Sequence, residues 1–201
     1  MIIPWSIPPL CVIQARLGST RLPNKMLLDF GGETLIARAV RLAIGAFGRD
    51  HVVVAVPEAD SLSPLGDELR RLQVHYVACH PDPADVLGRV YHTVHRFRWH
   101  PQAVIVRWTP DDPFKDPEKC RRTAHGERFP VEIGCEAFTL AMLERAQHTT
   151  APEDRTPREH LGNHRGLFPA EPLSCPVGEG WTIDTESDYQ AALRRLSVEE
   201  R

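Results

Sequence analysis

His51 to Val56 reads HVVVAV, an apolar run without polar alternation, and a strand of that kind has to be covered on both faces. Cys11-Val12-Ile13, Val74 to Ala78 and Ala103 to Trp108 (AVIVRW) share its extended character. Between these runs lie segments of helical periodicity. Glu33 to Phe47 gathers Leu35, Ile36, Ala39, Val40 and Ala43 on one side and meets Gly48 near its end. Ser63 to Leu72 and Ala84 to Arg98 follow, the latter gathering Val86, Leu87, Val90, Tyr91 and Val94. Buried strands alternating with amphipathic helices predict βαβ units, hence an α/β fold with a mainly parallel sheet. Ligands of such sheets collect at the carboxyl ends of the strands, where the loops after Ile13 and Trp108 emerge.

The second half is less regular. Val131 to Phe138 reads as a strand, Thr139 to Ala146 as a helix and Trp181 to Ile183 as a short strand. Ser187 to Leu196 reads as a final helix that Thr185 or Ser187 can cap, with Glu186 and Asp188 near its positive end. Prolines between Pro110 and Pro176 predict irregular connections.

With 201 residues, 42% of them hydrophobic, the chain can bury one substantial core. A net charge of -3 argues against a general nucleic-acid binder, which carries a basic excess. Cys11, Cys79, Cys120, Cys135 and Cys175 are scattered without a CxxC pair. Neither a disulfide framework nor a zinc site is expected, and a reducing cytoplasm is the expected setting. The opening MIIPWSIPPL lacks a basic flank and is broken by Pro4, Pro8 and Pro9. It reads as neither a signal peptide nor a spanning helix, so no membrane role is expected.

Against that slightly acidic background, the loop after the first strand concentrates cations. Arg16, Arg21 and Lys25 stand among Ala15, Gly18, Ser19 and Thr20. Small residues let backbone N–H groups approach phosphate oxygens while guanidinium groups fork onto them, although a solvated basic turn has the same composition. The loop matches neither GxxxxGK[ST] nor GxGxxG. Asp111 and Asp112 before Pro113 suit either a turn or a ligand position. Arg89 reads as a solvated helix residue beside His92 and His95, and those histidines read as a surface pair.

The order of residues is more specific than their type. Ala15 to Lys25, ARLGSTRLPNK, resembles the ARxGSTRLPxK signature of the cytidylyltransferase-like nucleotidyltransferases, which include acylneuraminate and deoxy-octulosonate cytidylyltransferases and spore-coat polysaccharide biosynthesis proteins. Leu27 to Leu35 (LLDFGGETL) is similar to the segment leading into that family's first helix. Further likenesses follow in order: Asp85 to Arg89 (DVLGR) with DVLxR, Arg107 to Pro113 (RWTPDDP) with RxTGDxP, Arg158 to His160 with REH, and Ile183 to Thr185 with IDT.

The resemblance implies a three-layer α/β/α sandwich of the nucleotide-diphospho-sugar transferase type, with a mainly parallel mixed sheet. It implies one domain over 1–201, with a nucleotide-binding half at 10–115 and an acceptor-binding, second-ligand half at 116–201. The implied reaction transfers a nucleoside monophosphate, CMP from CTP, to a sugar or acidic sugar for surface polysaccharide synthesis. Ala15, Arg16, Gly18, Ser19, Arg21, Lys25 and Arg89 would hold the nucleotide, with Arg16, Lys25 and Asp111 carrying catalysis. Asp111 and Asp184 would bind Mg²⁺, Glu136, Glu159 and His160 would meet the acceptor, and relatives suggest a homodimer. An in-line displacement at phosphorus asks mainly for positioning and charge neutralisation, which suits these residue types.

The chain departs from the family pattern at several points. Asn24 replaces a glycine but tolerates a left-handed backbone. Pro110 replaces the glycine of RxTGDxP and removes an N–H beside Asp111. Gly88 stands at an often acidic position, and 116–136 is short, with only partial likeness to the acceptor-side PxGLDVE. A non-catalytic nucleotide-binding relative or a sugar-nucleotide-dependent glycosyltransferase of the same fold are the alternatives.

Overall fold

A computed structural model describes residues 7–79, 82–97, 99–127, 129, 133–151 and 181–199. The valine run forms β2, Val52–Val56, buried along its whole length. It lies between β1 (Leu10–Gln14) and β3 (His75–Ala78), both parallel to it. On its other side β1 pairs in parallel with β4 (Val104–Trp108), and β5 (Glu136–Thr139) closes that edge antiparallel to β4. The order is therefore β3-β2-β1-β4-β5. Successive strands are added outward on opposite sides of the parallel pair β1 and β4, which makes this pair the switch point, and ligands of such sheets gather at the carboxyl ends of two such strands.

Alternate strand residues feed two cores. Cys11, Ile13, Val52, Val54 and Val56 pack with α1 (Leu35–Phe47), α2 (Pro64–Arg71) and α4 (Pro117–Ala124). Leu10, Val12, Val53 and Ala55 face the other way, against α3 (Val86–Phe97) and α5 (Leu140–Thr149). Each valine buried in this way stabilises the fold by about 1.5–3 kcal/mol relative to exposure. A third cluster joins Leu22, Phe30 and Leu35 to Ile183, Ala192 and Leu196, docking α6 (Glu186–Glu199) onto the loop after β1. Three layers result, as expected.

Helix starts follow side-chain caps. Thr34 accepts from the Ala37 amide, so α1 begins after Glu33. Ser63 caps α2 with Pro64 in its first turn, and Asp85 accepts from Gly88 N at 2.6 Å beside α3. Ahead of α6, Thr185 and Asp188 satisfy each other: Asp188 Oδ2 accepts from Thr185 N at 2.8 Å, and Thr185 Oγ1 from Asp188 N at 3.3 Å. Thr185 is thus the cap, and Ser187 lies within the helix.

The second half holds three corrections. Trp181 to Ile183 is not a strand: Ile183 N donates to Asp111 O at 2.9 Å, while Thr182 bonds through its side chain. Within the described residues, the strand expected from Val131 begins only at Glu136. Helix α4 was not anticipated, although Asp116 capping Glu118 N and Lys119 N, followed by Pro117, is a readable start signal. Cys11, Cys79, Cys120 and Cys135 are buried free thiols, and Cys175 lies outside the described residues. Among the described residues no helix is long and apolar enough to cross a membrane.

Gly66 is fixed by close approach. A methyl group there would sit 2.2 Å from the Ser61 carbonyl oxygen, in the 3-10 turn Glu58–Leu62. That turn also carries Asp60, which accepts from Leu17 N at 2.9 Å in the loop after β1. Gly66→Ala is expected to cost about 1–3 kcal/mol, read as a lower urea midpoint; an unchanged midpoint would refute the close contact.

Candidate active site

The loop after β1 folds as successive turns. Ala15 is buried and donates its N–H to Ala55 O at 3.1 Å, so that amide is already committed. Ser19 Oγ accepts from Leu22 N at 3.3 Å, and the space beside Gly18 is open. Asn24 takes φ 55°, the left-handed conformation expected where a glycine is missing, and the chain then tightens into the 3-10 turn Lys25–Leu27. With Leu22 buried against α6, the loop brings Arg21 and Lys25 to the segment before that helix.

Lys25 is the centre of the arrangement. Its buried Nζ donates to Asp111 Oδ2 at 2.9 Å, Asp184 Oδ1 at 3.2 Å and the Ile183 carbonyl at 2.7 Å. Arg21 Nη2 reaches the other Asp184 oxygen at 2.9 Å. Asp111 follows β4 and Asp184 precedes α6, so two aspartates distant in sequence meet on one ammonium. Burial works against the Asp111 carboxylate, but Lys25 outweighs it through charge and hydrogen bond, holding its pKa below the ordinary value.

A second cationic group lies across the loop. Arg16 Nη1 and Arg89 Nη1 both donate to the Pro83 carbonyl, at 3.0 and 2.9 Å. Arg89 is 2% exposed, and its Nε has no hydrogen-bond partner among the described residues. It is therefore not the solvated helix residue its neighbours suggested. Burial first, then the charges of Arg16 and Arg107, pull its pKa down to about 10. Such a guanidinium calls for an anion.

Glu136 stands apart from the Lys25 cluster. It accepts from Arg107 Nη1, while Arg107 Nε donates to Gln14 and Gln14 Nε2 to the Val86 carbonyl at 3.0 Å. Glu159 and His160 lie outside the described residues. His92 and His95 pack about Tyr91, with centroids 5.4 and 4.4 Å from its ring.

Next to Asp111 lies a buried polar knot in which Asp112 meets Lys115 and Thr182, two residues that the sequence did not single out. Asp112 accepts from Thr182 Oγ1 at 2.6 Å and from Thr109 Oγ1, and pairs with Lys115 Nζ at 2.9 Å. Lys115 also donates to the Gly134 carbonyl at 3.0 Å. Burial alone would discharge Lys115, yet the Asp112 carboxylate outweighs it and lifts its pKa above the ordinary value. Nearby, Arg38 Nε donates to the Pro113 carbonyl at 2.6 Å, and Phe114 lies between the guanidiniums of Arg38 and Arg195, 5.7 and 4.2 Å from its ring.

The donor chemistry suits Mg²⁺. Asp111 and Asp184 bring two hard carboxylate oxygens onto the same ammonium, and no group of three or more acidic, histidine or cysteine ligands stands among the described residues. Mg²⁺ commonly takes one or two carboxylates and completes its shell with phosphate and water.

These features define a cation-lined crevice with paired carboxylates at the switch point of an α/β sheet. The chain matches the cytidylyltransferase family over residues 10–126, and it belongs to that family. It is 33% identical over 130 residues to the 3-deoxy-manno-octulosonate cytidylyltransferase of Methylococcus capsulatus, a match covering 65% of this chain and 48% of that protein. The chain thus spans about half the length of that relative. It is 29% identical over 206 residues to the spore coat polysaccharide biosynthesis protein SpsF of Bacillus subtilis, covering 90% of this chain and 83% of that one. Among solved structures, a CMP:2-keto-3-deoxy-manno-octonic acid synthetase complexed with CTP superposes with a TM-score of 0.74 at 14% identity, covering 96% of this chain and 99% of that one.

Proposed function

We propose that the chain transfers CMP from CTP to a hydroxyl of a sugar or acidic sugar, releasing pyrophosphate, in cytoplasmic synthesis of surface polysaccharide precursors. The observation that carries this reading is the meeting of Lys25 and Arg21 with Asp111 and Asp184 at the sheet's switch point. The acceptor oxygen forms a bond to the α-phosphorus as the bond to pyrophosphate breaks, and the hydroxyl proton leaves to solvent. Arg16, Arg21, Lys25 and Arg89 bind phosphate oxygens and offset the charge gathering on the leaving group. Asp111 and Asp184 would hold Mg²⁺, which when bound neutralises phosphate charge as a Lewis acid. Family relatives named for octulosonate and spore-coat polysaccharide chemistry support this substrate class.

The test is pyrophosphate release from CTP across a panel of 3-deoxy-2-ulosonic acids and hexoses. Release is expected only when CTP, Mg²⁺ and an acceptor are all present. CTP binding without turnover on the whole panel would overturn the transfer reading and leave a nucleotide-binding protein.

A further inference from the structure

We propose that Asp112 and Thr182, backed by Lys115, are positioning residues that set the separation of the two carboxylates at the Lys25 site. The inference rests on the reading of Asp111 and Asp184 as a shared metal seat. Asp112 adjoins Asp111, and Thr182 stands two places before Asp184. A 2.6 Å hydrogen bond from Thr182 Oγ1 to Asp112 Oδ1 therefore ties the loop after β4 to the segment before α6, across a sequence separation of 70. Its backbone companion is the 2.9 Å bond from Ile183 N to Asp111 O. The two bonds fix both translation and rotation of one segment against the other.

The second oxygen of Asp112 keeps that carboxylate from turning away. Oδ2 accepts from Thr109 Oγ1 and from Lys115 Nζ, the latter at 2.9 Å. The Asp112 side chain is 3% exposed and that of Lys115 0%, so neither is available to a ligand. Lys115 is anchored in turn on Gly134 O. A charged pair buried this deeply costs desolvation that a pair of apolar residues would avoid. Its geometric result is a strut that holds the residue next to Asp111 through both carboxylate oxygens. Outer-shell partners of this kind, when removed, typically cost metal sites 10- to 100-fold in affinity.

Calorimetric titration of Mg²⁺ into the protein saturated with CTP tests the strut, with CTP affinity in EDTA as the companion measurement. Thr182→Val keeps the side chain's shape and deletes the hydroxyl. It is expected to weaken Mg²⁺ binding about 10-fold while leaving CTP affinity in EDTA unchanged, and Thr182→Ser is expected to restore parental Mg²⁺ binding. Parental Mg²⁺ affinity in a folded Thr182→Val protein would overturn the proposal, as would failure of Thr182→Ser to recover it. Circular dichroism reports folding. Should Thr182→Val unfold, the paired replacement D112L/K115M carries the same test, since it deletes the acceptor of the Thr182 hydroxyl together with the ion pair and leaves no lone buried charge; parental Mg²⁺ affinity there would likewise refute the strut. Absence of Mg²⁺ binding in the parent would instead refute the metal seat itself, a distinguishable result.

Discussion

A Lys25→Met variant is expected to lose pyrophosphate release by about 100- to 1000-fold and to lose stability as well. The first loss follows from removing a cation that, on the proposed function, would meet the triphosphate. The second follows from leaving Asp111 and Asp184 facing each other without the ammonium that now bonds both. Breaking a fully buried ion pair costs about 3–5 kcal/mol. Here Asp111 and Asp184 keep 27% and 34% of their side-chain surface, so on the order of 2 kcal/mol is expected, a Tm lower by about 4–8 °C for a chain of this size. The two carboxylates then form an open cation seat. Millimolar Mg²⁺ without nucleotide is expected to raise the Tm of the variant more than that of the parent. Scanning calorimetry with and without Mg²⁺ measures both effects, and equal shifts in the two proteins would refute Lys25 as the occupant of that seat.

Arg89→Met is expected to move stability and binding in opposite directions. The folded pKa of Arg89, about 10, lies below its ordinary value, chiefly through burial. Folding therefore opposes its proton. The penalty is fully present below pH 10 and fades as pH rises through the folded value toward the unfolded one. Removing the charge relieves on the order of 3 kcal/mol, less the hydrogen bond to the Pro83 carbonyl and the packing lost with the longer stem. The nucleotide-free variant should melt about 3–6 °C higher than the parent at neutral pH. CTP affinity should fall about 10- to 100-fold, because a charge-assisted contact has gone. A less stable Arg89→Met protein, or one binding CTP as tightly as the parent, would refute this account.

The sheet was legible because its signal is local. HVVVAV and AVIVRW became β2 and β4, and the periodic runs from Glu33 and Ser63 became α1 and α2. Periodicity says nothing of which residues distant in sequence will touch. Asp111 and Asp184 could be named only through family likeness, and their meeting on Lys25 depends on how α6 docks. Residue type alone makes Arg89 look solvated among histidines, while the family likeness places it at the nucleotide; helix pattern does not show its burial beneath the Pro83 carbonyl. The burial of Asp112 with Lys115 escaped for the complementary reason. Charged residues three apart in a proline-rich stretch look like surface, and only the folded chain closes Thr182 and Gly134 over them.

The bond between Lys25 and Asp184 spans 159 residues. Such a contact cannot form before Asp184 has left the ribosome, because loop closure over that distance waits for that segment. The parallel strands β1 to β4 have all been synthesised long before then. A growing chain can thus assemble its sheet early while the crevice still lacks one carboxylate. The second carboxylate arrives only with the segment before α6, so the Lys25 cluster is assembled after the sheet that carries it.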